Sequence, residues 1–178
     1  MKKILFMIFS MALACAGPVA AGSQGGGDGS AKGMPEGMQA FDINQTVLKV
    51  PLAEGVSAED AIDAIKSRAI ALNMKFVAHQ ALSKELAARG VDSGRLEIFQ
   101  FCNPGDAHKM VSHNIIFAAY MPCRIALVED NDGQLWLMMM NLDMLINATP
   151  LPPDLQEVAE NVNETLKAIM YAGANGEF

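Results

Sequence analysis

Apolar and polar residues alternate along five short stretches of the chain, a spacing of two that is typical of β-strands with one buried face. The clearest stretch is 95–102, where Phe99 and Phe101 share one face and Ile98 lies on the other. An Asp-Asn-Asp-Gly turn at 130–133 joins the last two stretches as a hairpin. The predicted strands are residues 46–52, 74–82, 95–102, 123–129 and 134–141.

Between the strands, apolar residues recur at the spacing of helices that bury one face. Ser57 and Asp60 are placed to exchange hydrogen bonds at a helix start, and the apolar stripe that follows runs to Leu72. Asn103 is a good helix cap, and Pro104 suits the first helical position. The other predicted helices are residues 83–89, 104–112 and 153–171.

This order of elements predicts the fold class. Strands mixed with helices, with one clear hairpin, indicate an α+β domain in which helices pack on a largely antiparallel sheet of about five strands. We expect one compact domain over residues 41–173, which is enough chain for a single core. His79 falls inside an apolar strand, where we expect a hydrogen-bonded structural role for it.

The first 21 residues have the pattern of a secretory signal peptide. Lys2 and Lys3 precede an apolar stretch at 4–14, and small residues lead to an expected cleavage after Ala21. Lipid attachment at Cys15 and an uncleaved N-terminal anchor are the alternatives. Residues 22–40 are glycine-rich with few bulky apolar side chains, so we expect a disordered leader. The sequence thus predicts a periplasmic protein with no stable membrane insertion after cleavage.

The charge of the chain limits the classes of partner that we expect it to bind. The formal net charge is −7, and cleavage after Ala21 would remove two lysines and make it more negative. An acidic chain without a basic patch argues against nucleic acids and anionic membrane surfaces as partners.

Two cysteines carry the main chemical signal. Cys102 ends one predicted strand and Cys123 begins the next, so antiparallel pairing would place both thiols at one end of the sheet. Cys102 also precedes a capped helix, whose free amides and dipole favour a thiolate. His108 follows within that helix, and we expect it to reach the same end and share a site with both thiols.

Four interpretations of this pair stay open. A structural disulfide fits an exported protein. A reactive dithiol, or a pair that carries bound sulfur, fits two thiols beside a helix start. A copper or zinc site would use the two thiolates and His108 as ligands. The fourth interpretation is two unrelated buried thiols.

The strand at 134–141 is apolar on both faces. Leu135, Leu137 and Met139 share one face, and Trp136 and the flanking methionines share the other. Such a strand either has helices on both sides or buries one face in a partner. A homodimer is the simplest partner, and we predict one through this strand.

The motifs around the cysteines resemble the bacterial domain-of-unknown-function 302 family. The resemblance covers roughly 46–171 and is carried by Cys102-Asn103-Pro104-Gly105, Ala107-His108, Pro122-Cys123, Val128-Glu129 and the hairpin Gly133. It implies a compact α+β domain, dimers and no established reaction. Members of that family also occur without a signal peptide. Similar cysteines in such cytosolic relatives would disfavour a purely structural disulfide. The family provides no catalytic residue to assign to this chain. The resemblance assigns only the motif positions Cys102, Asn103, Pro104, Pro122 and Cys123.

We therefore expect a non-enzymatic binding or carrier domain whose Cys102/Cys123 pair handles sulfur, thiol redox state or a soft metal. Its small-molecule or protein partner is left open. The alternatives are an enzyme with Cys102 as nucleophile and His108 as base, and a structural module stapled by a Cys102–Cys123 disulfide. Copper, zinc and bound sulfur are the candidate cofactors.

Overall fold

The computed structural model describes residues 42–178, so the predicted signal peptide at 1–21 and the leader at 22–40 lie outside the described residues. The strands are β1 (Val47–Pro51), β2 (Lys75–Ala81), β3 (Leu96–Cys102), β4 (Cys123–Glu129) and β5 (Leu135–Met140). The α-helices are α1 (Ala58–Ala71), α2 (Leu82–Ala88), α3 (Pro104–His113), α4 (Leu142–Ala148) and α5 (Pro153–Asn175). Short 3-10 helices cover Ile43–Thr46 and Ile115–Tyr120.

The strands form one open sheet in the order β1-β5-β4-β3-β2, and every neighbouring pair is antiparallel. This arrangement confirms the predicted α+β class. Phe99 lies opposite Ile125, and Ile125 lies opposite Met139, so one apolar row crosses three strands. All three side chains are buried, and this face of the sheet forms one side of the core.

Helices α1 and α5 cover the core face of the sheet. Ile65 of α1 and Ile169 of α5 belong to the same buried cluster as the sheet residues. The fit is closest at Gly173 of α5, where an added Cβ would clash with Ile65 and lie 2.8 Å from Leu137 Cδ1. Only glycine allows the backbone of α5 to approach α1 and β5 this closely.

The predicted helix starts are confirmed. Ser57 Oγ accepts from the Asp60 amide at 3.1 Å, and the Asp60 carboxylate accepts from the Ser57 amide at 3.2 Å. Such a reciprocal cap satisfies two amides that otherwise have no partner in the first turn. Asn103 caps α3, which has Pro104 at its first position as predicted.

The structure differs from the predictions at α4 and at the end of α1. No helix is predicted between the fifth strand and residue 153, yet α4 forms there without a side-chain cap at Asn141. Its Asp143 accepts from Asn163 at 2.6 Å and pairs with Lys167 at 2.9 Å, both on α5, so tertiary contacts hold it. The predicted buried stripe of α1 fails at Leu72, which is exposed because the helix has already ended.

The opposite face of β5 is half-buried. Trp136, Met138 and Met140 lie there. The Lys49 ammonium lies 4.3 Å from the ring centroid of Trp136, and the Trp136 indole donates to Asp130 at 2.7 Å. Among residues 42–178, no helix is both long enough and apolar enough to cross a membrane.

Candidate functional site

An apolar cavity of about 260 Å³ lies where β3 runs into α3 and β4 begins. Its walls come from α3, the 3-10 helix Ile115–Tyr120, α4 and α5. The apolar side chains that line it include Met110, Phe117, Leu145, Val158 and Val162. Cavities of a few hundred cubic ångströms lined by apolar groups are the usual form of small-molecule sites.

Cys102 and Cys123 both line this cavity. Cys123 lies directly opposite Phe101, and Cys102 is the next residue of β3. From the spacing of antiparallel strands, their Cα atoms are about 6 Å apart, which is within the usual disulfide range. Both thiols are free in the structure. The structure thus brings together the two cysteines singled out in the sequence.

The surroundings of the two thiols keep both protonated at neutral pH. Burial is the main cause that raises the pKa of the Cys123 thiol to about 11, and the charge of an ionised Cys102 raises it further. The positive charge of Arg124 lowers this pKa by a smaller amount. Burial and the Asp106 carboxylate raise the pKa of the Cys102 thiol. Both thiols are partly exposed, but Cys123 packs against the buried core and Cys102 does not, so we expect reagents from solvent to reach Cys102 more easily.

The expected thiolate stabilisation by α3 is wrong in direction, and the cap explains why. Asn103 Oδ1 accepts from the amides of Gly105 at 3.0 Å and Asp106 at 3.3 Å. The Asn103 carbonyl accepts from Ala107, and Pro104 has no amide hydrogen. Every amide of the first turn therefore already has a partner, and none remains for the Cys102 sulfur.

His108 does not join the two thiols. It is exposed, whereas Asp106, Ala107 and Met110 of the same helix line the cavity. Successive helical residues are rotated by about 100°, so residue 108 faces away from the side that carries 106, 107 and 110. Within residues 42–178, no three His, Cys, Asp or Glu side chains gather in a way that could hold a metal ion. The predicted three-ligand copper or zinc site is therefore not formed.

The remaining motif residues have structural positions around the thiols. Asn103 and Pro104 start α3, as described, and Asn103 also lines the cavity. Pro122 precedes β4 and is half-buried. These positions fix where the chain turns on either side of the cysteines.

The sequence analysis did not predict the residues that form the walls of the cavity. Val158 and Val162 lie on the predicted apolar stripe of α5, but they face the cavity and are only half-buried. Leu145 lies on α4 and Phe117 on the 3-10 helix, two elements that were not predicted. The apolar run at 115–120 was a visible signal, but its spacing fits neither an α-helix nor a strand.

A buried ionic cluster lies on the core face of β2 and β3, apart from the cavity lining. Glu97 is only 1 % exposed; one carboxylate oxygen lies 2.5 Å from His79 Nε2, and the other accepts from Arg95 at 2.6 Å. Burial alone would raise the pKa of Glu97, but these hydrogen bonds outweigh it and hold that pKa below its usual value. The His79 ring stacks on Phe99 with centroids 4.3 Å apart. The predicted hydrogen-bonded role of His79 is confirmed.

Comparison with known proteins gives the relatives of this chain. The family model described as "Domain of unknown function DUF302" matches residues 48–172. An uncharacterized protein of Aquifex aeolicus (strain VF5) is 28% identical over 116 residues, which are 64% of this chain and 75% of the relative. The crystal structure of an uncharacterized conserved DUF302 protein from Bacillus stearothermophilus matches with a TM-score of 0.60 at 20% identity, covering 71% of this chain and 97% of the other.

Proposed function

Because the chain belongs to the DUF302 family, whose description states no function, we propose one from the site itself. The protein is a small binding or carrier domain whose Cys102/Cys123 pair handles thiol redox state by exchange with disulfides. The observation that carries this proposal is that both thiols line one cavity from neighbouring positions of two paired strands. Their estimated Cα separation is within the range that disulfides span.

The chemistry of exchange is consistent with the unequal burial of the two thiols. Cys102 is the more accessible thiol and attacks first; Cys123, whose pKa is raised to about 11 by burial, acts as the resolving thiol. A buried resolving thiol attacks only a neighbouring sulfur, which limits side reactions. No observation on the cavity favours an enzyme in which His108 acts as the base for a Cys102 nucleophile, since His108 faces away.

Intact-mass measurement, with and without reductant, tests the proposal. We expect a loss of about 2 Da on oxidation, fully reversed by reductant. A gain of about 32 Da that reductant removes would instead indicate bound sulfur, and co-purified copper or zinc would indicate a two-thiolate metal site. Either result would replace redox exchange by one of the other interpretations of the pair. The Cys102→Ser and Cys123→Ser variants, which cannot form the internal disulfide, are the controls.

The reduction potential separates a redox pair from a structural staple. Equilibration with glutathione redox buffers should give a midpoint above about −270 mV, as in thiol carriers. Structural disulfides of exported proteins lie below about −300 mV. A midpoint in that lower range would contradict the proposed exchange and favour the stapled module.

We also propose that the protein is exported to the periplasm. The charged start, short apolar stretch and small residues of 1–21 support this. Sequencing the N-terminus of protein recovered from a periplasmic fraction should give Gly22. Intact Met1, or a lipid on Cys15, would contradict it.

A further inference from the structure

The chemistry of the cavity walls limits what can enter beside the two thiols. Apolar side chains from four elements form most of its lining. An engineered cavity of about 150 Å³ in another protein holds benzene, so about 260 Å³ suits a molecule of roughly ten non-hydrogen atoms. Burial of that much apolar surface provides binding without any polar contact.

The oxygens of the neutral polar side chains that line the cavity are already engaged within the protein. Asn103 Oδ1 accepts from two α3 amides, and Asn114 Oδ1 accepts from the Ile116 amide at 3.0 Å. Thr149 Oγ1 donates to the Leu145 carbonyl at 2.7 Å. These oxygens are used to build the walls, so they add little recognition of a polar ligand group.

The charge of the lining disfavours anions. Asp106 is a carboxylate that pairs only with the exposed Lys109 at 3.4 Å, and none of the described residues that line the cavity is lysine, arginine or histidine. An anionic ligand would lose its hydration without gaining an opposite charge. A neutral ligand avoids both this cost and the repulsion by Asp106.

The apolar surface continues outside the cavity along the 3-10 helix. Ile116 lines the cavity and is 63% exposed, and its neighbour Ile115 is 81% exposed. Tyr120 at the other end of this segment also lines the cavity and is exposed. A ligand too long for the cavity would therefore extend along apolar protein surface.

We infer that the cavity binds a neutral, apolar disulfide of low molecular weight, which is the substrate of the thiol pair. This inference rests on the proposed exchange function and names its substrate class. The Cys102 thiolate attacks one sulfur of the substrate RSSR, forming a mixed disulfide and releasing one RS⁻. The Cys123 thiolate then attacks the Cys102 sulfur and releases the second RS⁻. RSSR gains two electrons and the two thiol protons to give two RSH, and the protein pair is oxidised to a disulfide.

Two chromogenic disulfides of opposite character test the substrate class. The reduced protein is treated with neutral 4,4′-dithiodipyridine and with dianionic 5,5′-dithiobis(2-nitrobenzoic acid), and each rate is divided by that of N-acetylcysteine at the same pH. We expect the normalised rate with the neutral reagent to be about tenfold higher or more, equivalent to a modest gain of apolar binding. Equal normalised rates, or faster reaction with the anion, would overturn the inference.

A variant that fills the cavity provides a second, independent test of the inference. Ala159→Phe places a ring into the cavity from α5, and it should lower the rate with the neutral reagent about tenfold and the rate with the anionic reagent much less. Ala168→Phe adds the same ring at an exposed position of α5 and should change neither rate. Ala107→Leu on α3 is the substitute if Ala159→Phe does not fold, as judged by circular dichroism. Equal slowing of both reagents by the filled variant would contradict selective apolar binding.

The products separate failure of the inference from failure of the proposed function. An intramolecular disulfide formed without preference for the neutral reagent would overturn only the substrate class. Preference for the neutral reagent with the product stopped at a mixed disulfide on Cys102 would overturn only the exchange by the pair. Mass spectrometry of the quenched protein distinguishes these outcomes.

Discussion

Cys102 lies one residue beyond Phe101, the direct strand partner of Cys123. In a regular strand, neighbouring side chains leave on opposite faces, so this register alone would separate the two thiols. The regular strand ends at Cys102, however, because Asn103 caps α3 there. Both cysteines therefore reach the same cavity, and the turn from strand to helix is what makes a shared site possible.

The burial of Cys123 should make the protein less stable in alkali. Its folded pKa of about 11 exceeds the unfolded value, so the protonated thiol stabilises the fold below about pH 8.5 and this contribution is lost as pH rises towards 11. We expect the free energy of unfolding of the reduced protein to fall by about 2 kcal/mol between pH 8.5 and 10.5 through this group.

Urea unfolding of the wild type and Cys123→Ser at both pH values measures this loss. The serine variant should lack most of it, since serine does not titrate, whereas Cys102→Ser should retain most of it because Cys123 is still present. Identical pH dependence of the wild type and Cys123→Ser would show that Cys123 is not buried as described.

The fold was largely predictable because its local rules agree with its tertiary packing. The alternation in β3 predicted that Phe99 and Phe101 share one face, which is the buried one, and the Ser57/Asp60 pair marked the start of α1. Helix α4 lacks such local marks: it is one to two turns long, has no side-chain cap and is held by α5. Single-sequence patterns do not contain that contact.

The candidate site was predictable only in its chemistry. The positions of Cys102 and Cys123 at strand ends indicated a shared site, but the apolar cavity around them depends on residues far apart in the sequence. The prediction for His108 is wrong because His108, although close to Cys102 along the helix, points in another direction around the helix axis. The thiolate expectation failed because Asn103 uses the amides that would have stabilised it.

The close approach at Gly173 predicts a large effect of a small substitution. Gly173→Ala places a methyl group against Ile65, with Leu137 Cδ1 at 2.8 Å and the Ala61 carbonyl oxygen at 3.3 Å. We expect a net destabilisation of about 2 kcal/mol, because overpacking exceeds the gain in helix propensity.

Chemical denaturation measures this cost, with Asn161→Ala at an exposed position of α5 as the control that should be neutral or slightly stabilising. An Ile65→Ala background removes the closest of these contacts, so the cost of Gly173→Ala should shrink. A stabilised single variant would mean that α5 does not pack this closely.

Glu97 should stabilise the protein only while it is ionised. Its pKa is held below the usual value, so its contribution is complete above about pH 4.3 and is lost as pH falls through the lower folded value. Glu97→Gln removes the charge that binds Arg95 and His79, and should cost about 2 kcal/mol at pH 7.

The difference between wild type and Glu97→Gln should therefore narrow as the pH is lowered from 5 to 3, measured by urea unfolding. Glu157→Gln on the exposed face of α5 serves as the control and should track the wild type throughout. A constant difference across this pH range would show that the ionised form of Glu97 is not the one that stabilises.

Self-association through the outer face of β5 stays a prediction. The core face of this strand is covered by helices, while Met138 on the other face is half-buried between Ala126 and Lys49 on the flanking strands. A second copy packed here would bury the apolar row, and a charge placed in that row would oppose assembly.

Met138→Lys should therefore raise the dissociation constant of the dimer about tenfold or more. Ile70→Lys also replaces an apolar side chain with a charged one, at an exposed position of α1, and should leave association unchanged. Light scattering at micromolar concentrations compares the three proteins; a monomeric wild type would prove the prediction wrong, and dissociation by Ile70→Lys alone would move the interface to the helical side.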